Sequence, residues 1–147
     1  MLELSGERFS VGRATYLDEL PLAAGRSARV YIRIAVEGMD EPFLALLDTG
    51  AEWSILDREI AESLGLTDAN SQPYTLRHAG GTSAGKLIRT TVRVLADEGD
   101  DLTVEATVFV PDENLAFGRN FIGYSSFLDQ VRLGIDPQQN HIYFGGY

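Results

Sequence analysis

A mainly β single domain with one or two short helices is the architecture this sequence predicts, on three observations. Apolar residues recur mostly with a period of two, in short segments cut by Gly, Pro, Asp and Asn clusters. At 147 residues the chain is about one domain's worth and can bury a sizeable core. With 44% hydrophobic and 10% aromatic residues it has the composition of a folded globular protein, and it shows no internal repeat and no low-complexity segment.

Residues 1–26 are weakly patterned and read as an N-terminal extension, with one strand near Arg8 to Ala14. Arg29 to Val36 is rich in β-branched and aromatic residues, and a strand there sets Val30, Ile32, Ile34 and Val36 on one face. Gly38-Met-Asp-Glu-Pro42 is a turn cluster, after which Phe43-Leu-Ala-Leu-Leu47 resumes as a short buried strand. Ser54-Ile-Leu56 is apolar and brief. Asp57 to Leu64 reads as a helix: Asp57 is the N-cap, Ile60 and Leu64 share a face, and Gly65 is placed to end it. Tyr74 to Ala79 and Lys86 to Leu95 are extended, joined by the glycine-bracketed hairpin tip Gly80 to Gly85. Asp97 to Asp101 is an acidic, solvated turn, and Leu102 to Val110 is a strand with Leu102, Val104, Ala106 and Val108 on one side. Phe121-Ile122-Gly123 is a short apolar run followed by a helical turn from Ser125 to Gln130. Val131 to Ile135 and His141 to Phe144 pair around Asp136-Pro-Gln-Gln-Asn140.

Charge and composition remove whole classes of function. Twelve Lys and Arg against twenty-two Asp and Glu leave a net charge of -10. That argues against a nucleic-acid binder that tracks phosphates and against docking on an anionic membrane. There is no cysteine, which excludes thiol proteases, thiolate zinc sites, iron–sulfur clusters and disulfide scaffolds. His78 and His141 are the only histidines, too few for an easy histidine metal site, so neither metal nor cofactor is expected. Lys86 is the only lysine. The N-terminus has no basic run before an apolar stretch, and no window approaches the ~20 apolar residues that span a bilayer, so a cytoplasmic protein is expected. The chemistry must then rest on carboxylates, hydroxyls and backbone.

Asp48-Thr49-Gly50 directly follows the buried strand and so puts a carboxylate at the edge of the core. Gly50 allows a sharp turn, and the Thr49 hydroxyl can brace it. The same tripeptide is also an ordinary strand-end turn. What separates the two readings is the continuation Ala51-Glu52-Trp53-Ser54-Ile55-Leu56.

In that context the sequence resembles the retropepsin-like, or retroviral-type, aspartic proteases. Their motif is an apolar run into Asp-Thr-Gly-Ala, two variable residues, Ser or Thr, and aliphatics, and residues 46–56 match it throughout. Gly80 to Gly85 falls where the family's flap would lie, and Phe121-Ile122-Gly123 where its second glycine motif would lie. The hairpin from Val131 to Phe144 is similar to that of bacterial members. One departure is Tyr124, where many members carry Arg or Asp. The resemblance implies a closed β-barrel of the retropepsin type over residues 27–147. It further implies catalysis by Asp48 with Thr49 and Gly50 fixing its geometry. Ala51 and the flap residues Gly80, Gly81, Thr82, Ser83, Ala84 and Gly85 would contact an extended protein or peptide substrate. Two carboxylates held close share a proton, so one activates water while the other protonates the scissile carbonyl oxygen. With one Asp-Thr-Gly per chain, the second Asp48 must come from a symmetry mate, which predicts a homodimer.

Gly81-Thr82-Ser83-Ala84-Gly85 also satisfies the Gly-x-Ser-x-Gly pattern of a serine-hydrolase elbow, but a β-branched run follows where that elbow needs a helix. Asp97 to Asp101 lacks the alternating oxygen ligands of a calcium loop. His78 reads as a solvated strand residue and His141 shows no partner in sequence. The leading reading is an aspartic endopeptidase. The alternative is the same fold used as a binding or dimerisation module, and a more distant one is an unrelated barrel that binds a ligand.

Overall fold

The computed structural model describes residues 1–18, 29–66, 71–115 and 120–147, so the boundary expected between residues 26 and 27 lies outside the described residues. In chain order the elements are β1 (Glu3–Leu4), β2 (Glu7–Arg8), β3 (Gly12–Thr15), β4 (Tyr31–Val36), β5 (Phe43–Leu47) and β6 (Ser54–Ile55), then α1 (Arg58–Ser63). The hairpin strands β7 (Ser71–His78) and β8 (Gly81–Val94) follow, then β9 (Glu98–Gly99), β10 (Leu102–Pro111) and β11 (Asn120–Ile122). A single 3-10 turn, Leu128–Gln130, leads into β12 (Val131–Asp136) and β13 (His141–Gly146).

Six strands close a barrel in the order β10–β6–β11–β5–β4–β8, because the long β8 pairs back onto β10 from Val94↔Leu102 to Gly85↔Pro111. Closure leaves this ring without a free edge; β7, paired only to β8, is the exposed edge that remains. The alternation expected of β10 is observed, with Val104, Ala106 and Val108 buried, and Glu105 exposed and Thr107 half-buried between them. In β4 both faces are covered: Tyr31 and Ala35 are buried as well as Ile32, Ile34 and Val36, and Tyr31 bridges to Leu17. Phe109, Phe127 and Phe144 are fully buried, each contributing about 2–3 kcal/mol of apolar transfer free energy.

The helix follows its expected chemistry. Asp57 caps α1 by accepting the Glu59 N–H, and Gly65, at φ +65°, ends it. The Gly65 N–H donates to Glu62 O and the Leu66 N–H to Ala61 O, which satisfies the last carbonyls in a Schellman closure.

A second sheet, β12–β13–β3–β9, packs beside the barrel, with β3 paired to β13 from Thr15↔His141 to Gly12↔Phe144. Asp97 ties the two sheets. Its carboxylate accepts the Thr15 N–H at 2.6 Å on the β3 side and pairs with Arg33 of β4 on the barrel side. Burial pushes this carboxyl up, but the Thr15 hydrogen bonds and the Arg33 and Arg13 charges outweigh it and hold Asp97 below the usual carboxylate range. The acidic turn is thus a fastening as well as a solvated segment. His141 also has a partner that the sequence did not show, Arg13, whose Nη1 lies 3.3 Å from Nδ1.

Two further expectations are corrected. The hairpin turns at Ala79–Gly80, and residues 81–85 are already strand. Gly85 is buried there because a Cβ would lie 2.4 Å from Val110 O and 2.5 Å from the Phe109 ring, so this glycine serves close packing and not a turn. The helical turn expected over 125–130 is confined to Leu128–Gln130, because Ser126 lies at φ +67° and Phe127 at φ -131° and ψ -74°, both outside the helical region. Among the described residues no helix is long and apolar enough to cross a membrane.

Candidate active site

The site is built where the chain leaves the barrel and re-enters it. β5 runs outward to Leu47, the backbone reverses through Asp48–Ala51, and β6 returns; β11 lies between them, parallel to β5 and antiparallel to β6. The Asp48 N–H donates to Ile122 O at 2.9 Å, so the inserted strand holds the start of the turn. The Gly50 N–H donates to Asp48 Oδ1 at 2.9 Å and the Ala51 N–H to Asp48 O at 3.2 Å, which closes the turn on itself. Asp48 is half-buried, while Thr49 and Gly50 are exposed at the barrel end. Within one chain the brace is therefore the Asp48 carboxylate on the Gly50 amide, and the Thr49 hydroxyl is left at the surface.

The far side of the turn is laced to the loop after β11. Tyr124 and Ser125 donate to Ala51 O and Glu52 O, each at 2.8 Å. Beneath them the buried Ser54 Oγ accepts the Gly123 N–H at 3.0 Å. A Cβ on Gly123 would lie 2.3 Å from the Trp53 carbonyl carbon, so the two backbones meet only because this residue is glycine. Ser54 is the structural residue that the sequence reading named only as a motif position. Its signal was a hydroxyl amid aliphatics, where a buried polar group must have a partner.

The hairpin stem reaches this turn through Tyr74. Its hydroxyl donates to Glu52 Oε2 at 3.2 Å, and its ring stands edge-on to Trp53 at 6.0 Å and to Phe109 at 6.2 Å. These rings join Ile55, Leu76 and Phe109 in a second apolar cluster under the hairpin. The hairpin tip and the segment after β10 enclose a cleft of about 630 Å³, lined by His78, Gly80, Thr82, Ser83, Asp112 and Glu113 among others. Of the residues expected to contact substrate, Gly80, Thr82, Ser83 and Ala84 line this cleft; Gly81 lies in the exposed start of β8, and Gly85 is buried. Asp48 does not line it within one chain.

The Ser83 pattern proves to be a near miss. His78 Nε2 lies 2.8 Å from Ser83 Oγ, a distance suited to a nucleophile and its base. Yet Nδ1 of the same ring accepts the Gly80 N–H at 3.2 Å, so it carries no proton, and the neutral ring bears its proton on Nε2. That nitrogen donates to Ser83 and cannot take the hydroxyl's proton. Residues 81–94 are also strand, with no helix after the serine.

Among the described residues no three His, Cys, Asp or Glu side chains converge as metal ligands. What remains is a half-buried carboxylate on a turn held from both sides, near an aromatic shelf and a hairpin with an acidic cleft. A family model described as gag-polyprotein putative aspartyl protease matches residues 32–127, about two thirds of the chain, spanning the turn, α1, the hairpin and the Phe121-Ile122-Gly123 run. No curated protein matches the chain.

Proposed function

This chain belongs to the retropepsin-like family of aspartyl proteases, and on that premise we propose that it is an endopeptidase working as a homodimer with one Asp48 from each subunit. The observation that carries the reading is the Asp48 turn: one such carboxylate per chain, bonded by the Gly50 amide, on a backbone whose Asp48 N–H donates to the Ile122 carbonyl. A single barrel supplies a single such group, so a two-carboxylate mechanism needs a second copy related by a two-fold axis. Exposed Thr49 and Gly50 lie on the face that the partner would meet.

In the assembled site the paired carboxylates share one proton, since two negative charges about 3 Å apart do not coexist. The ionised one draws a proton from the attacking water; the protonated one gives its proton to the carbonyl oxygen of the scissile bond. Collapse of the tetrahedral intermediate then breaks the C–N bond, and the leaving nitrogen takes a proton from the dyad. Ala51 lines the floor, and the β7–β8 hairpin covers the substrate. An extended peptide suits such a site because an exposed strand edge offers backbone hydrogen bonds without demanding a folded partner.

The test is Asp48→Asn, assayed on a mixture of unfolded proteins alongside the parent chain. Cleavage should fall by about 10²–10⁴-fold or more, with sedimentation and circular dichroism unchanged. Cleavage persisting in the purified variant would contradict the assignment.

A further inference from the structure

We propose that His78 holds the Gly80 amide in reserve at the hairpin tip and releases it when the imidazole takes up a proton. The switch is a property of the hairpin; its consequence for substrate rests on the peptidase reading. Ala79 and Gly80 form the turn, and the last residue of β7 folds its ring back over it. Nδ1 accepts the Gly80 N–H at 3.2 Å, and Nε2 lies 2.8 Å from Ser83 Oγ on the opposite strand. The glycine is part of the device, since a Cβ at residue 80 would stand 3.3 Å from both Cε1 and Nδ1 of the ring.

Neutral imidazole has one donor and one acceptor, and both are matched here: Nε2–H to Ser83, Nδ1 from Gly80. Imidazolium has two donors. Protonation therefore keeps the Ser83 bond and sets two N–H groups against each other at Gly80, so that bond is lost. One proton gained frees one backbone donor at the tip. Among the described residues that line the cleft with His78, the charged side chains are Asp112 and Glu113. On its own strand the neighbouring Arg77 is exposed and points to the other face. A freed Gly80 N–H is a donor for the backbone carbonyl of an extended substrate lying under the hairpin.

The measurement is the hydrogen-exchange protection of the Gly80 amide, normalised to its intrinsic rate, in the ¹⁵N-labelled full chain at pH 8 and pH 5. In the parent protein protection should drop about three- to tenfold at the lower pH, the worth of one hydrogen bond. His78→Asn supplies an oxygen to the same amide two residues on but does not titrate, so protection should persist at both pH values. His78→Phe has no acceptor, so protection should be low at both. Unchanged protection in the parent chain, or a pH-dependent drop surviving in His78→Phe, would overturn the proposal. No substrate is involved, so this result stands apart from success or failure of the cleavage assay.

Discussion

The Asp48 turn and the hairpin tip use one local device and differ in everything around it. In each, a side chain accepts the N–H of a glycine two residues on: Asp48 from Gly50 and His78 from Gly80. The Asp48 turn is held from outside as well, by Ile122 O before it and by Tyr124 and Ser125 after it. At the tip, His78 links Gly80 and Ser83 of its own hairpin. The same two-residue closure is thus laced to the barrel on both flanks at Asp48 and joined to the facing strand of its own hairpin at His78.

Glycine substitutions separate the two regions most sharply. Gly123→Ala drives a Cβ into Trp53 backbone, which cannot give way, and should cost about 3 kcal/mol, read as a drop in urea midpoint at constant slope. Gly80→Ala meets only the edge of the His78 ring and should cost under about 1 kcal/mol while weakening the tip closure. Equal costs at the two positions would erase the distinction. Next in size is Ser54→Ala, which strips the acceptor from the buried Gly123 N–H; about 1–3 kcal/mol should be lost, with activity falling at temperatures where the fold survives.

The smallest effect is at Asp97, where a carboxylate accepts a backbone N–H between sheets and not within a turn. Asp97→Asn keeps an oxygen for Thr15 but loses the pairing with Arg33, and should cost about 1 kcal/mol at neutral pH. Because folding lowers this carboxyl, its contribution is complete above the ordinary carboxylate range and disappears as pH falls through and below that range. The acid limb of the stability curve should therefore be shallower in the variant than in the parent chain.

Local pattern was legible in the sequence and long-range pairing was not. The alternation of Val104, Ala106 and Val108, the Asp57 cap and the Gly65 stop all read correctly, because each depends on neighbours a few residues away. The family motif gave the retropepsin-like barrel and marked Asp48. The insertion of β11 between β5 and β6 joins residues some seventy apart, as Ser54 to Gly123 shows, and leaves no periodic trace. The run of glycines at 80–85 misled for a different reason. A glycine required by the approach of Phe109 and Val110, as at Gly85, looks in sequence like one required by a turn. The helical turn near residue 128 is short because Ser126 sits at φ +67°, a backbone angle that nothing in the local residue pattern shows.

The most direct test of the central claim is the separation of the two Asp48 carboxylates in the assembled protein, measured crystallographically with the chain at its solution stoichiometry. A two-fold axis through the turn, with the carboxylates about 3 Å apart and sharing a proton or a water, is the predicted result. A monomer, or a dimer that leaves the two Asp48 side chains on separate faces, would contradict it and leave the barrel as a binding module that carries an Asp-Thr-Gly turn.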